Sequence, residues 1–299
     1  MNYTHGHNPT GNLKHSKLNF MKTFIFLLIG ALVSNCEAFA QITIIFRGDD
    51  MGFSHSANEA CIDTYVNGLV RSVEVIVPGP WFEEAVQMLE KNPGLDVGVH
   101  LALTSEWRFL KWKPLTNSPS LVDDNGYFYP IIWPSENRPG AALKDHEWKL
   151  EEVEQELRAQ IELAIKRIPH VTHFTGHMGC THMSEEVTTL AGKLAKEYGI
   201  EIFPEDHGYG RLPQWTGKEY NFEQKKERLK KVLKELKPGK YLSVTHPAYN
   251  SPESRSIHHP GYENVSEDRD AETKVLTDPE IKDLVSELGI EIIGYDEVK

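Results

Sequence analysis

Cysteine is scarce in this 299-residue chain, which has only Cys36, Cys61 and Cys180. So few thiols exclude a disulfide framework, and stability has to come from a buried core. Positive charge is also in deficit: 32 Lys and Arg face 44 Asp and Glu, for a formal net charge of -12. That balance argues against partners bound through phosphates, whether nucleic acid or an anionic membrane, and reads as a solubilising surface. No apolar run approaches the roughly 20 residues that a membrane-spanning helix needs. Internal repeats, low-complexity linkers and collagen or coiled-coil periods are absent from the sequence. What remains is the composition of a globular protein, 39% hydrophobic and 25% charged, with enough length for one large domain or two ordinary ones.

The N-terminal segment has its own pattern. Met21-Lys22 precedes an apolar run over residues 24–33, and Ala38-Phe39-Ala40 follows. A charged start, a short apolar stretch and a small-x-small site form the layout of a secretory signal peptide. Residues 1–40 are therefore expected to be an N-terminal extension plus signal peptide, with translation starting at Met21 or residues 1–20 as an upstream extension. Cleavage after Ala40 would leave a single domain, 41–299, exported to the periplasm or the extracellular space. Cys61 and Cys180 would then remain as buried thiols. The alternative, a lipoprotein anchored at Cys36, is disfavoured by Asn35, which stands where a small residue is wanted.

Short β-rich runs alternate with longer helical patterns over the rest of the chain. Strands are expected at 42–46, 73–77, 97–101, 171–174, 200–203, 241–245 and 290–295. Helices are expected at 56–67, 81–90, 148–167, 185–198, 222–236 and 279–288. This alternation predicts a parallel sheet covered by helices, and about seven β/α units favour a barrel over an open sheet. Residues 104–145 and 247–277 show no regular period and are rich in Pro, aromatic and polar residues. Long loops of this kind are commonly lids or binding walls.

The chemistry-bearing residues share one location. Asp49 and Asp50 follow the first strand, His100 ends the third, His173 and His177 the fourth, and His246 the sixth. In a β/α barrel these strand ends meet on the face that carries the active site. Two adjacent carboxylates repel unless a cation separates their roles, one binding it and the other staying free as a base. Helix capping is the competing role for either Asp, although Ser54 and Ser56 serve equally well. One carboxylate and two imidazoles form a three-ligand set with open positions, as in catalytic sites. Nitrogen donors fit zinc better than magnesium. By spacing alone, His173 or His182 remain alternatives as ligands.

At these residues the chain resembles the YdjC-like carbohydrate deacetylases, a family that includes the diacetylchitobiose deacetylases. The matching segments are Asp49-Asp50-Met51-Gly52, Asn58-Glu59, Asn67 to Ser72, Gly98 to Thr104, Thr172 to His177 and His246-Pro247-Ala248-Tyr249. The resemblance implies a distorted (β/α) barrel of the glycoside hydrolase/deacetylase type, related to the polysaccharide deacetylases. It implies Asp50, His100 and His177 as metal ligands, Asp49 as general base and His246 as general acid. The cofactor would be one divalent ion, magnesium by the family's usual description or zinc by donor chemistry. The substrate would be an N-acetylated amino sugar or oligosaccharide, hydrolysed to acetate and free amine. Trp107, Trp112, Tyr127, Tyr129 and Trp133 are candidates to stack on sugar faces or to pack their loop against the barrel. The same residues also suit a metal-dependent O-acetyl esterase or a non-catalytic glycan-binding barrel, and a homodimer is left open. The chain departs from the family pattern in two places. Thr175 stands where Asp is common, and a family run of His is reduced to His177-Met178-Gly179-Cys180. A carboxylate that orients a ligand is therefore missing or replaced. His207, Arg211, His258, His259 and Arg269 either line the site or lie on the surface.

Overall fold

Ile44, Ile45 and Phe46 are apolar on both faces of an extended segment, so that segment has to be covered on both sides. In a computed structural model, which describes residues 41–299 together with residues 1–3 and 6, it becomes the central strand β1, Ile42–Met51. The expected signal peptide and Cys36 lie outside the described residues. Along one edge β1 pairs in parallel with β6, Gly239–Thr245, from Ile42↔Gly239 to Gly48↔Thr245. Its other edge is shared. β7, Glu291–Ile292, pairs at Thr43 and Ile44, and β2, Ser72–Val75, pairs from Arg47 onward. β3, Asp96–Leu101, and β4, Val171–Gly176, continue outward from β2, while β5, Gly210–Arg211, borders β6.

The result is a parallel sheet of seven strands in the order β4-β3-β2-β1-β6-β5, with β7 on β1. No ladder joins β4 to β5 among the described residues, so the barrel stays open there. That seam is its distortion. Helices α1 (His55–Val66), α2 (Phe82–Glu90), α3 (Leu150–Arg167), α4 (Glu185–Tyr198), α5 (Phe222–Glu235), α6 (Val265–Thr277) and α7 (Pro279–Glu287) cover the sheet. The larger apolar core runs from Ile44 and Phe46 through Val73, Val97 and Val99 to Leu157, Ile161 and Leu194, and a smaller one gathers Ile45, Leu242 and Tyr295. Each such fully buried aliphatic side chain contributes about 1.5–3 kcal/mol of transfer free energy. Cys61 and Cys180 are buried free thiols, as expected. No helix among the described residues is long and apolar enough to cross a membrane.

Three expectations need correction. Residues 200–203 form no strand. Ile200 N–H closes the end of α4 on Ala195, and Phe203 leads into a 3-10 turn at Pro204–His207. The strand beside β6 is instead the two-residue β5. The last strand shrinks from 290–295 to Glu291–Ile292. The supposed loop 247–277 contains α6, whose buried face includes Ser266, Asp268, Arg269, Glu272 and Thr273. An apolar period could not reveal a helix whose inner face is so polar.

The long loop 104–145 is tied down by α3. Glu156 on that helix accepts from the backbone N–H of Leu115 at 3.1 Å and of Thr116 at 3.0 Å. Gln160 bonds both backbone groups of Ala102, accepting from N–H at 2.9 Å and donating to C=O at 2.8 Å. Glu156 and Gln160 are both wholly buried, so these bonds satisfy groups that would otherwise be costly to bury.

Candidate active site

β1 carries the two adjacent carboxylates to the end of the sheet. Neither caps α1: Ser54 does so, accepting from Ala57 N–H at 3.1 Å, a cap worth about 1 kcal/mol. Adjacent residues in a regular strand point to opposite faces. Here the β1–β2 register shifts between Gly48 and Met51, and Asp50 adopts φ of 72°, in the left-handed region. Such a conformation costs on the order of 1 kcal/mol or more for a residue with a Cβ, and it re-aims the side chain. Both carboxylates consequently face one imidazole. Asp49 Oδ2 lies 3.8 Å and Asp50 Oδ1 3.4 Å from His100 Nε2.

His100 comes from β3, and His177 begins the turn directly after β4. His177 Nδ1 is 3.2 Å from Asp50 Oδ1 and 3.3 Å from His100 Nε2. Asp50, His100 and His177 thus offer three ligand atoms within 4.8 Å of one another, all buried. Among the described residues, Asp50 Oδ1 has no hydrogen-bond partner. An orphaned carboxylate oxygen beside two ring nitrogens is the arrangement a cation would satisfy, and the donor set of one oxygen and two nitrogens suits a divalent transition ion.

The other atom of each ligand is engaged. Asp50 Oδ2 accepts from Arg269 Nη2 at 2.7 Å. His177 Nε2 faces Glu106 Oε2 at 3.1 Å, and His100 Nδ1 faces Thr175 Oγ1 at 2.7 Å. These partners fix the orientation of both rings, so that His100 Nε2 and His177 Nδ1 face inward and would present lone pairs to a bound ion. Burial alone would raise the Asp50 carboxyl. Arg269, helped by His177, instead holds it well below the usual range. Burial likewise disfavours charge on His177, but Glu106 and Asp50 together push its pKa up to about 10.

Asp49 is gripped from behind. Arg47 donates from Nε to Oδ1 at 2.6 Å and from Nη2 to Oδ2 at 2.8 Å, and its Nη1 donates to Tyr295 Oη at 2.7 Å. Tyr295 stacks on His173 with ring centroids 3.8 Å apart. His173 Nε2 faces Glu74 Oε1 at 2.6 Å and its Nδ1 faces Thr172 Oγ1 at 2.7 Å. His173 is therefore bound within this network and does not join the three-ligand group. Glu74 is wholly buried. Burial would raise its carboxyl, but His173 and then Arg47 bring it down to about 2. A Cβ on Gly98 would collide with Glu74 Oε2 and His173 Nε2, so glycine there makes room for the pair.

His246 follows β6, where the register sets Thr245 against Gly48, so it leaves the sheet at the level of Asp49. Its backbone N–H donates to Glu272 Oε2 at 2.9 Å. Arg269, undecided from sequence, is buried beside Asp50, with its guanidinium over the rings of Phe53 and Trp107 at 5.2 and 5.3 Å. Trp107 and Trp112 are buried and pack the loop, whereas Trp133 is exposed. His258 and His259 lie half-buried against Phe109 and Trp107, and His182 and His207 are exposed.

A cavity of about 720 Å³ occupies the β4–β5 seam, bordered by Arg47, Thr175, His182, Arg211 and Tyr295. It adjoins the centre through Arg47 and Thr175, and none of Asp49, Asp50, His100 and His177 lines it.

Sequence reasoning missed Arg47, Glu74 and Glu106. Arg47 had a legible signal, because residues i and i+2 of a strand share a face and it stands two before Asp49. Glu74 had another, as a lone acid inside the apolar strand Val73-Glu74-Val75. Glu106 lies in an irregular loop and had none.

The sequence model of the YdjC-like protein family matches residues 43–287. Carbohydrate deacetylase 1 of Listeria innocua is 31% identical over 259 residues, covering 84% of this chain and 98% of that protein. A carbohydrate deacetylase of Thermoanaerobacter pseudethanolicus is 25% identical over 267 residues, covering 86% and 99%. Among solved structures, an Enterococcus faecalis V583 protein named for cellobiose-phosphate cleavage superposes with a TM-score of 0.67. It is 25% identical and covers 86% of this chain and 98% of its own.

Proposed function

This chain belongs to the YdjC-like family, and from that membership and the site geometry we propose that it is a metal-dependent carbohydrate deacetylase. Its substrate is an N-acetylated amino sugar or oligosaccharide, and its products are acetate and the free amine. The observation that carries this reading is the convergence of Asp50, His100 and His177 within 4.8 Å, with Asp49 facing the same His100 nitrogen at 3.8 Å.

Asp50 Oδ1, His100 Nε2 and His177 Nδ1 are the atoms that would hold a divalent ion, which would supply Lewis acidity toward the acyl carbonyl and toward water. Arg269 occupies the second oxygen of Asp50 and so leaves one for ligation. Asp49 takes the proton of the attacking water. Arg47 fixes both its oxygens in place, and each keeps a lone pair free to accept. His246 gives a proton to the leaving nitrogen as the C–N bond breaks. Zinc fits the two nitrogen donors better than magnesium. Export through the signal-like segment, and a glycan outside the cytoplasm as substrate, belong to the same proposal.

The test is acetate release by the purified chain from N-acetylated chito-oligosaccharides, run beside an O-acetylated glycan with zinc or magnesium present. Release from the N-acetyl substrate is expected. Release only from the O-acetyl substrate, or tight glycan binding with no release, overturns the reading.

A further inference from the structure

His100 Nε2 faces the three-ligand group, and its other ring nitrogen is supported from the neighbouring strand β4. Thr175 Oγ1 sits 2.7 Å from His100 Nδ1 and donates its own hydrogen to Glu74 Oε2 at 2.7 Å. We propose that Glu74 and Thr175 form a positioning relay, in which a carboxylate on β2 acts through a hydroxyl on β4 to hold His100 for a metal ion. The proposal rests on the metal-dependent reading above.

Proton bookkeeping gives the relay its direction. A threonine hydroxyl has one hydrogen. With that hydrogen given to the Glu74 carboxylate, Oγ1 can only accept from His100, so Nδ1 is the protonated ring nitrogen. Nε2 then carries the lone pair, and it is the nitrogen that faces Asp50 Oδ1 at 3.4 Å. Glu74 is itself immobilised. Its other oxygen faces His173 Nε2 at 2.6 Å, and it sits 3.7 Å from Arg47 Nε, the group that grips Asp49. One buried carboxylate therefore braces both the ligand side and the base side of the centre. Partners of this kind, one shell out from a metal, are worth about 10–100-fold in affinity.

The test is zinc affinity of the purified full chain, measured by competition with a chromophoric chelator, with thermal melting of the zinc-free proteins as the folding control. Thr175→Val cuts the link to His100 and leaves the Glu74–His173 contact intact, so it keeps the test valid if a Glu74 variant fails to fold. Thr175→Val and Glu74→Gln are each expected to weaken zinc binding by about 10–100-fold. Thr175→Asp alone sets two carboxylates side by side and also weakens it. Thr175→Asp combined with Glu74→Gln returns a single carboxylate to His100, with the glutamine amide donating to it, and is expected to recover affinity to within a few-fold of wild type. A general packing defect would add in the double variant instead of cancelling. Wild-type affinity in Thr175→Val, or additive losses in the double variant, overturns the relay alone. A wild-type chain that takes up no ion overturns the metal-dependent reading together with the relay.

Discussion

Arg47 and Asp49 lie two residues apart on one face of β1 and meet through two parallel hydrogen bonds of 2.6 and 2.8 Å. The fork fixes the carboxylate plane, which a point charge cannot do. Arg47→Lys keeps the charge and loses the fork. It is expected to lower acetate release by about one to two orders of magnitude, since a displacement of about 1 Å at a reacting group has that effect. Metal content, read by elemental analysis, should not change.

The proposed mechanism gives the neighbours Asp49 and Asp50 different roles, so their variants are expected to fail differently. Asp49→Asn removes the proton acceptor and is expected to cut kcat by about 10²–10⁴-fold with the ion retained. Asp50→Asn is expected to lose the ion itself. Parallel kinetics and metal analysis of the two variants distinguish them, and equal metal loss in both would contradict the division.

Ion uptake should depend on pH. Glu106 and Asp50 raise the pKa of His177 to about 10, so the ion-free protein holds a proton there at neutral pH. An ion on Nδ1 displaces that proton. Affinity is expected to rise with pH up to about 10, by close to tenfold per pH unit for one proton released. Calorimetric titration in buffers of different ionisation enthalpy counts the proton directly.

Glu74 should shape acid stability. Its folded pKa of about 2 lies below the ordinary value of 4.5, so its contribution is present above pH 4.5 and is lost as pH falls toward 2. The shift corresponds to roughly 3 kcal/mol for this fully buried group. Glu74→Gln is expected to flatten the fall in melting temperature across that window. An unchanged acid limb would contradict the assignment.

Where apolar period and topology coincide, the fold was legible in the sequence. The buried runs of β1, β3 and β6 and the amphipathic helices α3 and α4 follow from residue pattern alone. Residues 200–203 show the limit: their apolar character is satisfied by packing, as Phe203 does against Phe174 with ring centroids 5.5 Å apart, without strand pairing. Helix α6 shows another, because Arg269 and Glu272 turn inward to serve Asp50 and the His246 backbone instead of water. The clustering of Asp50, His100 and His177, with Asp49 beside them, was legible from their places at the strand ends. Its supports were not, because Glu74 reaches His100 through Thr175 by a pairing that exists only once β2, β3 and β4 lie side by side.

In the proposed mechanism, Asp50, His100 and His177 hold the ion on which deacetylation depends. Protein stripped with a chelator and titrated with zinc, while acetate release from an N-acetylated chito-oligosaccharide is followed, tests it most directly. Activity should rise in proportion to added ion and saturate near one equivalent per chain, with no such rise in His100→Ala. Full release by stripped protein, or the same titration curve in His100→Ala, would contradict it.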